Sequence, residues 1–150
     1  MSTIKDFLEA DHVRCDRLFA CVGEAVERGD WSWAGVAVEA FGAALSHHLR
    51  IEEELLFPAL EKANANLAGP TTVMRTEHAH LRSIADAAIA ALQAHDKDGF
   101  MAAADTMQIM NGQHNLKEES MLYPTADHVL ASGAAAMVQS MQSLAVTDGV

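Results

Sequence analysis

The chain repeats itself, and the repeat limits what it can fold into. Residues 11–64 recur at 77–130. Asp11-His12 returns as Glu77-His78. His48-Leu-Arg-Ile-Glu52-Glu53-Glu54-Leu-Leu-Phe57-Pro58 returns as His114-Asn-Leu-Lys-Glu118-Glu119-Ser-Met-Leu-Tyr123-Pro124. Each equivalent pair is 66 residues apart, as are the predicted helix caps Asp30 and Asp96. Histidine makes up 8 of 150 residues, so a match at one position has a chance of roughly one in twenty on composition alone. Several matches at one offset are far rarer. A doubled unit folds into two equivalent halves. Here it carries four His and two Glu, a ligand set suited to two metal ions that share two carboxylates.

The halves read as helices. Aromatic residues are scarce, whereas Ala, Leu and Met are plentiful, a bias that favours helices over strands. Thr3 caps a short opening turn, with Asp6 three residues on as a box-like partner. The first helix then runs to about Arg28 and stops at Gly29. Asp30 caps a second helix that reaches about Ala63. Residues 64–70 form a turn, and Pro70 suits the first position of a third helix ending near His95. A fourth helix starts at Asp96 or Asp98 and carries His114 and Glu118. Ser132 and Gly133 precede a short fifth helix, Ala134 to Leu144, with apolar residues spaced at three and four. The tail beyond Ala145 is expected to fray. Short connections force neighbouring helices to run antiparallel. The expected fold is all-α: one domain, residues 1–150. An up-down-up-down four-helix bundle with pseudo-twofold symmetry spans about 3–130, and a short C-terminal helix spans about 132–145. Pro58 and Pro124 each remove a backbone hydrogen bond late in a helix and are expected to kink or loosen it.

The formal net charge is −11 with no basic stripe, which disfavours nucleic acid and anionic membranes as partners. The first residues carry charges where a signal peptide needs an apolar run, and no stretch is apolar enough to span a bilayer. A cytoplasmic location is the resulting expectation. Cys15 and Cys21 lie six apart on one helix, facing different ways, so they read as reduced thiols filling small core positions. Cys15 follows His12 by three residues and so lies within reach of the site.

Residues four apart on a helix share a face. His48 therefore points with Glu52, and His114 with Glu118. One histidine from each of the first and third helices, His12 and His78, completes the set. Each ion takes two histidines, with Glu52 and Glu118 bridging. Mixed imidazole and carboxylate ligation suits iron or manganese, and less readily zinc, which usually stays four-coordinate. Two redox-active ions at bridging distance bind or activate dioxygen, peroxide or nitric oxide. The opposing reading is a duplicated bundle whose His and Glu lie on exposed faces without metal.

His12, His48-xxx-Glu52, His78 and His114-xxx-Glu118, followed by Leu-Phe-Pro and Leu-Tyr-Pro, resemble the hemerythrin-like (HHE cation-binding) family over roughly residues 3–130. The resemblance implies a non-haem di-iron centre inside a four-helix bundle, with work in oxygen, nitric oxide, peroxide or iron handling. Oxygen-carrying hemerythrin has a fifth histidine four residues after the third-helix histidine, where this chain has Arg82. It also has His-xxxx-Asp on its last helix, where this chain has His114-xxx-Glu118. The pattern resembles a subgroup written His, His-xxx-Glu, His-xxx-Arg, His-xxx-Glu. Arg82 stays charged and does not ligate a cation. It is expected beside the site, paired with Asp16 or facing an anionic oxidant. Two roles stay open: consumption of peroxide or nitric oxide in a stress response, and non-catalytic sensing or storage of oxygen or iron.

The remaining candidates have plainer readings. His47 and His80 pair in the repeat with Gln113 and Arg14, so both are read as non-ligands. His95 and His128 sit near helix ends, where the dipole favours them. Glu53, Glu54 and Glu119 read as a solvated face, although Glu119 would compete with Glu118 if the helix widened locally. Asp11 and Glu77 cap helices or support the ligands. Tyr123 lies nine residues beyond His114, on roughly the opposite side of a regular helix, and reads as packing.

Overall fold

The computed structural model describes residues 2–146. Its order is α1 (Ile4–Glu27), α2 (Trp31–Ile51), α3 (Phe57–Ala63), α4 (Ala68–Gln93), α5 (Lys97–Lys117), α6 (Tyr123–Val129) and α7 (Ala134–Ser143). Among the described residues there is no strand. A π turn, Glu52–Leu56, joins α2 to α3, and a second, Glu118–Leu122, joins α5 to α6. Four long rods result, α1, α2–α3, α4 and α5–α6, forming the expected four-helix bundle. The expected fraying of the tail falls largely on residues 147–150, outside the described residues.

The caps place the rods. Thr3 and Asp6 form a reciprocal capping box, so the opening turn is continuous with α1. Asp30 caps α2 through the Trp33 amide, and Asp96 rather than Asp98 caps α5 through the Gly99 amide. Both hairpins turn on one device. Gly29 (φ 71) and His95 (φ 53) follow α1 and α4 in the left-handed region. The next amides, of Asp30 and Asp96, reach back to the Ala25 and Ala91 carbonyls, as in a Schellman motif. His95 therefore ends a helix geometrically, and its ring stacks on Trp31 at 4.8 Å. α4 begins at Ala68, two residues before the expected start. Pro70 still lies in its first turn, where an amide has no helical partner.

The prolines explain the π turns. The amide of Phe57 reaches the Glu52 carbonyl, five residues back. The next bond in that pattern would come from residue 58 to the Glu53 carbonyl, but proline has no N–H. The Arg75 guanidinium donates to that carbonyl instead, at 3.3 Å. Tyr123 and Pro124 repeat the arrangement, with the Tyr123 amide on the Glu118 carbonyl. The expected loosening is thus a turn widened by one residue.

Apolar spacing sets which faces meet. On α4, Thr71, Met74, His78, Leu81, Ala85, Ala88 and Leu92 are buried at alternating intervals of three and four. Two core clusters form. One, toward the Gly29 and His95 turns, holds Val22, Phe41, Leu45, Leu81, Phe100 and Met107. The other, toward the chain's N-terminus, holds Ile4, Leu8, Phe57, Leu60, Tyr123 and Met141. α7 covers the second cluster with Val138 and Met141. The segment after α7 latches onto α2, where His47 Nε2 meets the Leu144 carbonyl at 3.0 Å. Cys21 is exposed, not a core residue as expected, while Cys15 is buried. The first and last rods are tied at one end of the bundle. Asp127 accepts from the amides of Ile4 (2.8 Å) and Lys5 (3.2 Å), two of the unpaired donors that open α1. Asp127→Ala should therefore lower the unfolding free energy by about 1 kcal/mol, the usual effect of a lost cap. Urea unfolding measures it, and an unchanged midpoint would show that Thr3 and Asp6 suffice.

Candidate metal centre

The six predicted ligands occupy positions on the bundle's inward stripes that an apolar residue would otherwise fill. His12 lies in α1 between Leu8 and Cys15, His78 in α4 between Met74 and Leu81, and His114 in α5 seven residues after Met107. His48 closes α2. Glu52 and Glu118 open the two π turns. All six are buried, and Glu52, His78 and Glu118 are 0% exposed. They form a layer between the two apolar clusters.

The structure brings all six together. The His12 and His48 rings lie 4.7 Å apart, and the His78 and His114 rings 5.0 Å apart. Each glutamate reaches one ring of each pair. Glu52 Oε1 is 3.3 Å from His48 Nε2 and 3.3 Å from His78 Nε2. Glu118 Oε1 is 3.2 Å from His12 Nε2 and 3.2 Å from His114 Nε2. Ligand-type atoms cluster within 4.8 Å of one another as Glu52, His78, His114 and Glu118, and as His12, His48 and Glu118. His47 and His80 belong to neither cluster.

An outer ring of carboxylates aims the imidazoles. His12 Nδ1 meets Glu119 at 2.8 Å, His48 Nδ1 meets Asp11 at 2.8 Å, His78 Nδ1 meets Glu53 at 2.9 Å, and His114 Nδ1 meets Glu77 at 2.8 Å. These contacts obey the 66-residue repeat. An Nδ1–H donating outward leaves the Nε2 lone pair facing inward, the tautomer a metal ion requires. Asp11 and Glu77 thus support the ligands, and they cap no helix. Glu53 and Glu119 are not a merely solvated face; only Glu54 is, paired with Arg50 at 2.6 Å.

Cation chemistry fits this donor set. His48 Nε2, His78 Nε2, His114 Nε2, Glu52 Oε1 and Glu118 Oε2 are buried without a hydrogen-bond partner. Buried acceptors facing one another are costly unless a proton or a metal ion stands between them. In the metal-free chain protons take that place. Burial opposes the His48 imidazolium, but Glu52, Asp11 and Glu118 outweigh it and raise its pKa well above the usual value. His78 is raised likewise against burial, by Glu52 and Glu53. His114 is raised from 6.5 to about 9 against burial, by Glu118, Glu52 and Glu77. Glu52 is held well below the usual carboxylate range against its own burial, chiefly by His48.

The family model for the hemerythrin HHE cation binding domain matches residues 3–126. The chain belongs to this family. No curated protein and no solved structure matches it at a significant level. The hemerythrin-like domain thus carries buried His and Glu groups able to bind metal, with two His and one Glu contributed by each half of the repeat.

The site of this hemerythrin-like chain differs from the sequence reading in two further respects. Tyr123 is not packing. Its hydroxyl lies 2.8 Å from Glu52 Oε2, 3.0 Å from Glu118 Oε1 and 3.1 Å from His12 Nε2. The π turn holds one residue more than an α turn, so Glu118 and Tyr123, five apart, share a face. The signal lay in Pro124, whose missing amide favours that turn. Burial, then the charges of Glu52 and Glu118, push the phenol well up, so it stays an O–H donor to the carboxylates. Its counterpart Phe57 has no such group.

Arg82, secondly, does not meet Asp16. It grips Glu53 with two bonds of 2.7 and 2.8 Å, and the Glu53 carboxyl is held down to about 2, against burial, by Arg82 and His78. Arg82 therefore acts on His78 through Glu53. Asp11 is similarly held by Arg14, and Glu77 by Lys117. Glu119 has no such cation among the described residues. Burial raises the Asp16 carboxyl, and the charge of nearby Glu119 works in the same direction. The His12 side is thus the less firmly held half.

Two outcomes follow for solution work. A raised His114 pKa means that the folded chain holds the proton more tightly than the unfolded chain. That stability is complete below pH 6.5 and lost as the pH rises through about 9. Glu53 acts at the other end: its contribution is present above pH 4.5 and lost as the pH falls toward about 2. The urea midpoint of metal-free protein should fall from pH 6.5 to 9, and one flat across that range would contradict the proton-filled site. Tyr123→Phe removes the donor shared by both carboxylates. It should keep the metal content but weaken binding about tenfold to a hundredfold, the usual scale for an outer hydrogen bond. A competing chelator titration measures this, and unaltered affinity would return Tyr123 to a packing role.

Proposed function

We propose that this hemerythrin-like chain holds two iron ions and reacts with a small oxidant, peroxide or nitric oxide first and dioxygen next. His12 and His48 would hold one ion and His78 and His114 the other, with Glu52 and Glu118 bridging. The observation that carries this reading is that each glutamate touches one imidazole of each pair. A carboxylate serving two ions needs that placement, whereas two separate mononuclear sites would keep each glutamate within one pair. Manganese and zinc are the less favoured occupants. Bound iron would supply the electrons and the Lewis acidity that such an oxidant needs in order to react.

The chain's own groups have distinct tasks. Asp11, Glu53, Glu77 and Glu119 fix the imidazole tautomers. Tyr123 orients both bridging carboxylates through its hydroxyl. Arg82 keeps Glu53 ionised and so holds His78 in place. The absence of a fifth histidine at position 82 favours turnover over reversible oxygen carriage. Both cysteines are free, which suits a reducing compartment, and we place the chain's work in the cytosol in an oxidative or nitrosative stress response. Among the described residues no helix is long and apolar enough to cross a membrane.

A second reading, a sensing or storage protein without turnover, draws on the depth of the site, since all six side chains are buried. Anaerobic reconstitution with ferrous iron should saturate at two equivalents per chain. Glu52→Ala or Glu118→Ala should disturb both ions, while His47→Ala and His80→Ala should leave metal content unchanged. Saturation at one equivalent would sink the dinuclear reading. Added to the loaded protein, hydrogen peroxide should give repeated release of oxygen; a single stoichiometric oxidation would favour the sensor.

A further inference from the structure

The layer of buried His and Glu is closed by aromatic side chains on one side and borders a small void on the other. Toward the second core cluster it is closed by Tyr123 and Phe57, both 0% exposed. Toward the first cluster a small void of about 10 Å³ touches the imidazoles directly, lined by His12, Cys15, Leu45, His48, Leu49, Asn111, His114 and Asn115. A void of roughly that size holds about one water-sized molecule. A crevice of about 330 Å³ between α1, α2 and α5 shares two of those residues, Asn111 and Asn115, and has Asp16, Phe19, Gln108 and Gly112 among its other walls. The two asparagines thus stand between the crevice and the void.

The repeat shows that this opening breaks the symmetry. Positions 45, 48 and 49 exchange with 111, 114 and 115 under the 66-residue offset. The void therefore lies close to the pseudo-twofold axis. Its two lining residues without such an exchange are His12 and Cys15, whose counterparts are His78 and Leu81. Leu81 is a buried core residue; the shorter Cys15 leaves space on the α1 side. Asn111 and Asn115 are half-buried and replace the apolar Leu45 and Leu49 of the other half. No cation backs Glu119 on this side among the described residues, and Asp16 lines the crevice.

From this we infer that small molecules reach the metal pair from one side only, through the α1–α5 crevice, between Asn111 and Asn115, into a one-molecule chamber beside Cys15. Its ligand class is a neutral molecule of about two heavy atoms that accepts or donates hydrogen bonds, with hydrogen peroxide the best match. The amides supply hydrogen bonds that a leucine neck lacks, and Asp16 with Glu119 repels anions. The inference deepens the proposed function and rests on that reading for its ligand. The route itself is a property of the metal-free chain.

Cys15 makes the route measurable without metal, and exposed Cys21 is an internal reference. Metal-free protein would be treated at neutral pH with hydrogen peroxide, which is neutral and has two heavy atoms, or with peroxymonosulfate, which is larger and anionic; each oxidises a thiolate to the sulfenic acid, with hydroxide or sulfate as the leaving group. Oxidation at each cysteine is read by peptide mass spectrometry. The neutral reagent should modify Cys15, while the anionic one should oxidise Cys21 almost exclusively. Asn111→Leu with Asn115→Leu should slow oxidation of Cys15 by the neutral reagent about tenfold, equal to roughly 1.4 kcal/mol on the barrier to passage, with Cys21 unchanged. Equal Cys15 rates in the folded double variant would overturn the route. So would a Cys15 preference between reagents no stronger than that of Cys21, because oxidation would then proceed by unfolding. Failure of iron to bind beside a preserved Cys15 pattern would refute the metal reading and leave the route standing.

Discussion

Everything in this bundle is arranged around two carboxylates that are shut off from solvent. Glu52 and Glu118 are fully buried, and an isolated ionised carboxylate in such surroundings is unstable by many kcal/mol. Each is compensated by imidazoles drawn from opposite halves of the bundle, so neither half is complete alone. The imidazoles need an outer carboxylate each, and three of those need a surface cation. Charge alternates outward from the centre in shells, from Glu52 through His78 and Glu53 to Arg82. A bundle built this way holds its rods in register through polar contacts across its middle, while apolar clusters on either side supply most of the burial.

The two π turns let the helices carry more chemistry than a regular repeat allows. On a straight α-helix the positions three and four after Glu118, Met121 and Leu122, would share its face, and Tyr123 would turn away. Widening the helix at Glu118 turns Tyr123 onto the same face, and widening at Glu52 brings Glu53 beneath His78 while Glu52 faces inward. A proline six residues after each of these buried glutamates withholds the amide that would keep the helix tight. Arg75 takes up the carbonyl left over at Glu53.

The halves are equivalent in their inward His and Glu residues and unequal in surroundings. Tyr123 stands opposite Phe57, Arg82 opposite Asp16, Cys15 opposite Leu81, and Asn111 with Asn115 opposite Leu45 with Leu49. Each exchange is a single side chain, yet together they give the centre a sealed floor, a firmly held half and a loosely held half. A duplicated scaffold thereby gives its two halves different surroundings without changing the inward His and Glu residues.

Much of this was legible in the residues. The offset of 66, the His-xxx-Glu spacing and the caps at Asp30 and Asp96 determined the fold and the six inward groups, because helical period and capping are local and act over one or two turns. What the spacing left undecided needed contacts between distant segments. His12 finds Glu119, Arg82 finds Glu53 instead of Asp16, and Asp127 ties the first rod to the last; the sequence separations are wide and no period links them. Tyr123 was misplaced for a subtler reason. Its position depends on a helix one residue wider than the regular period, and that widening is stable only where a proline and the packing of four rods favour it together.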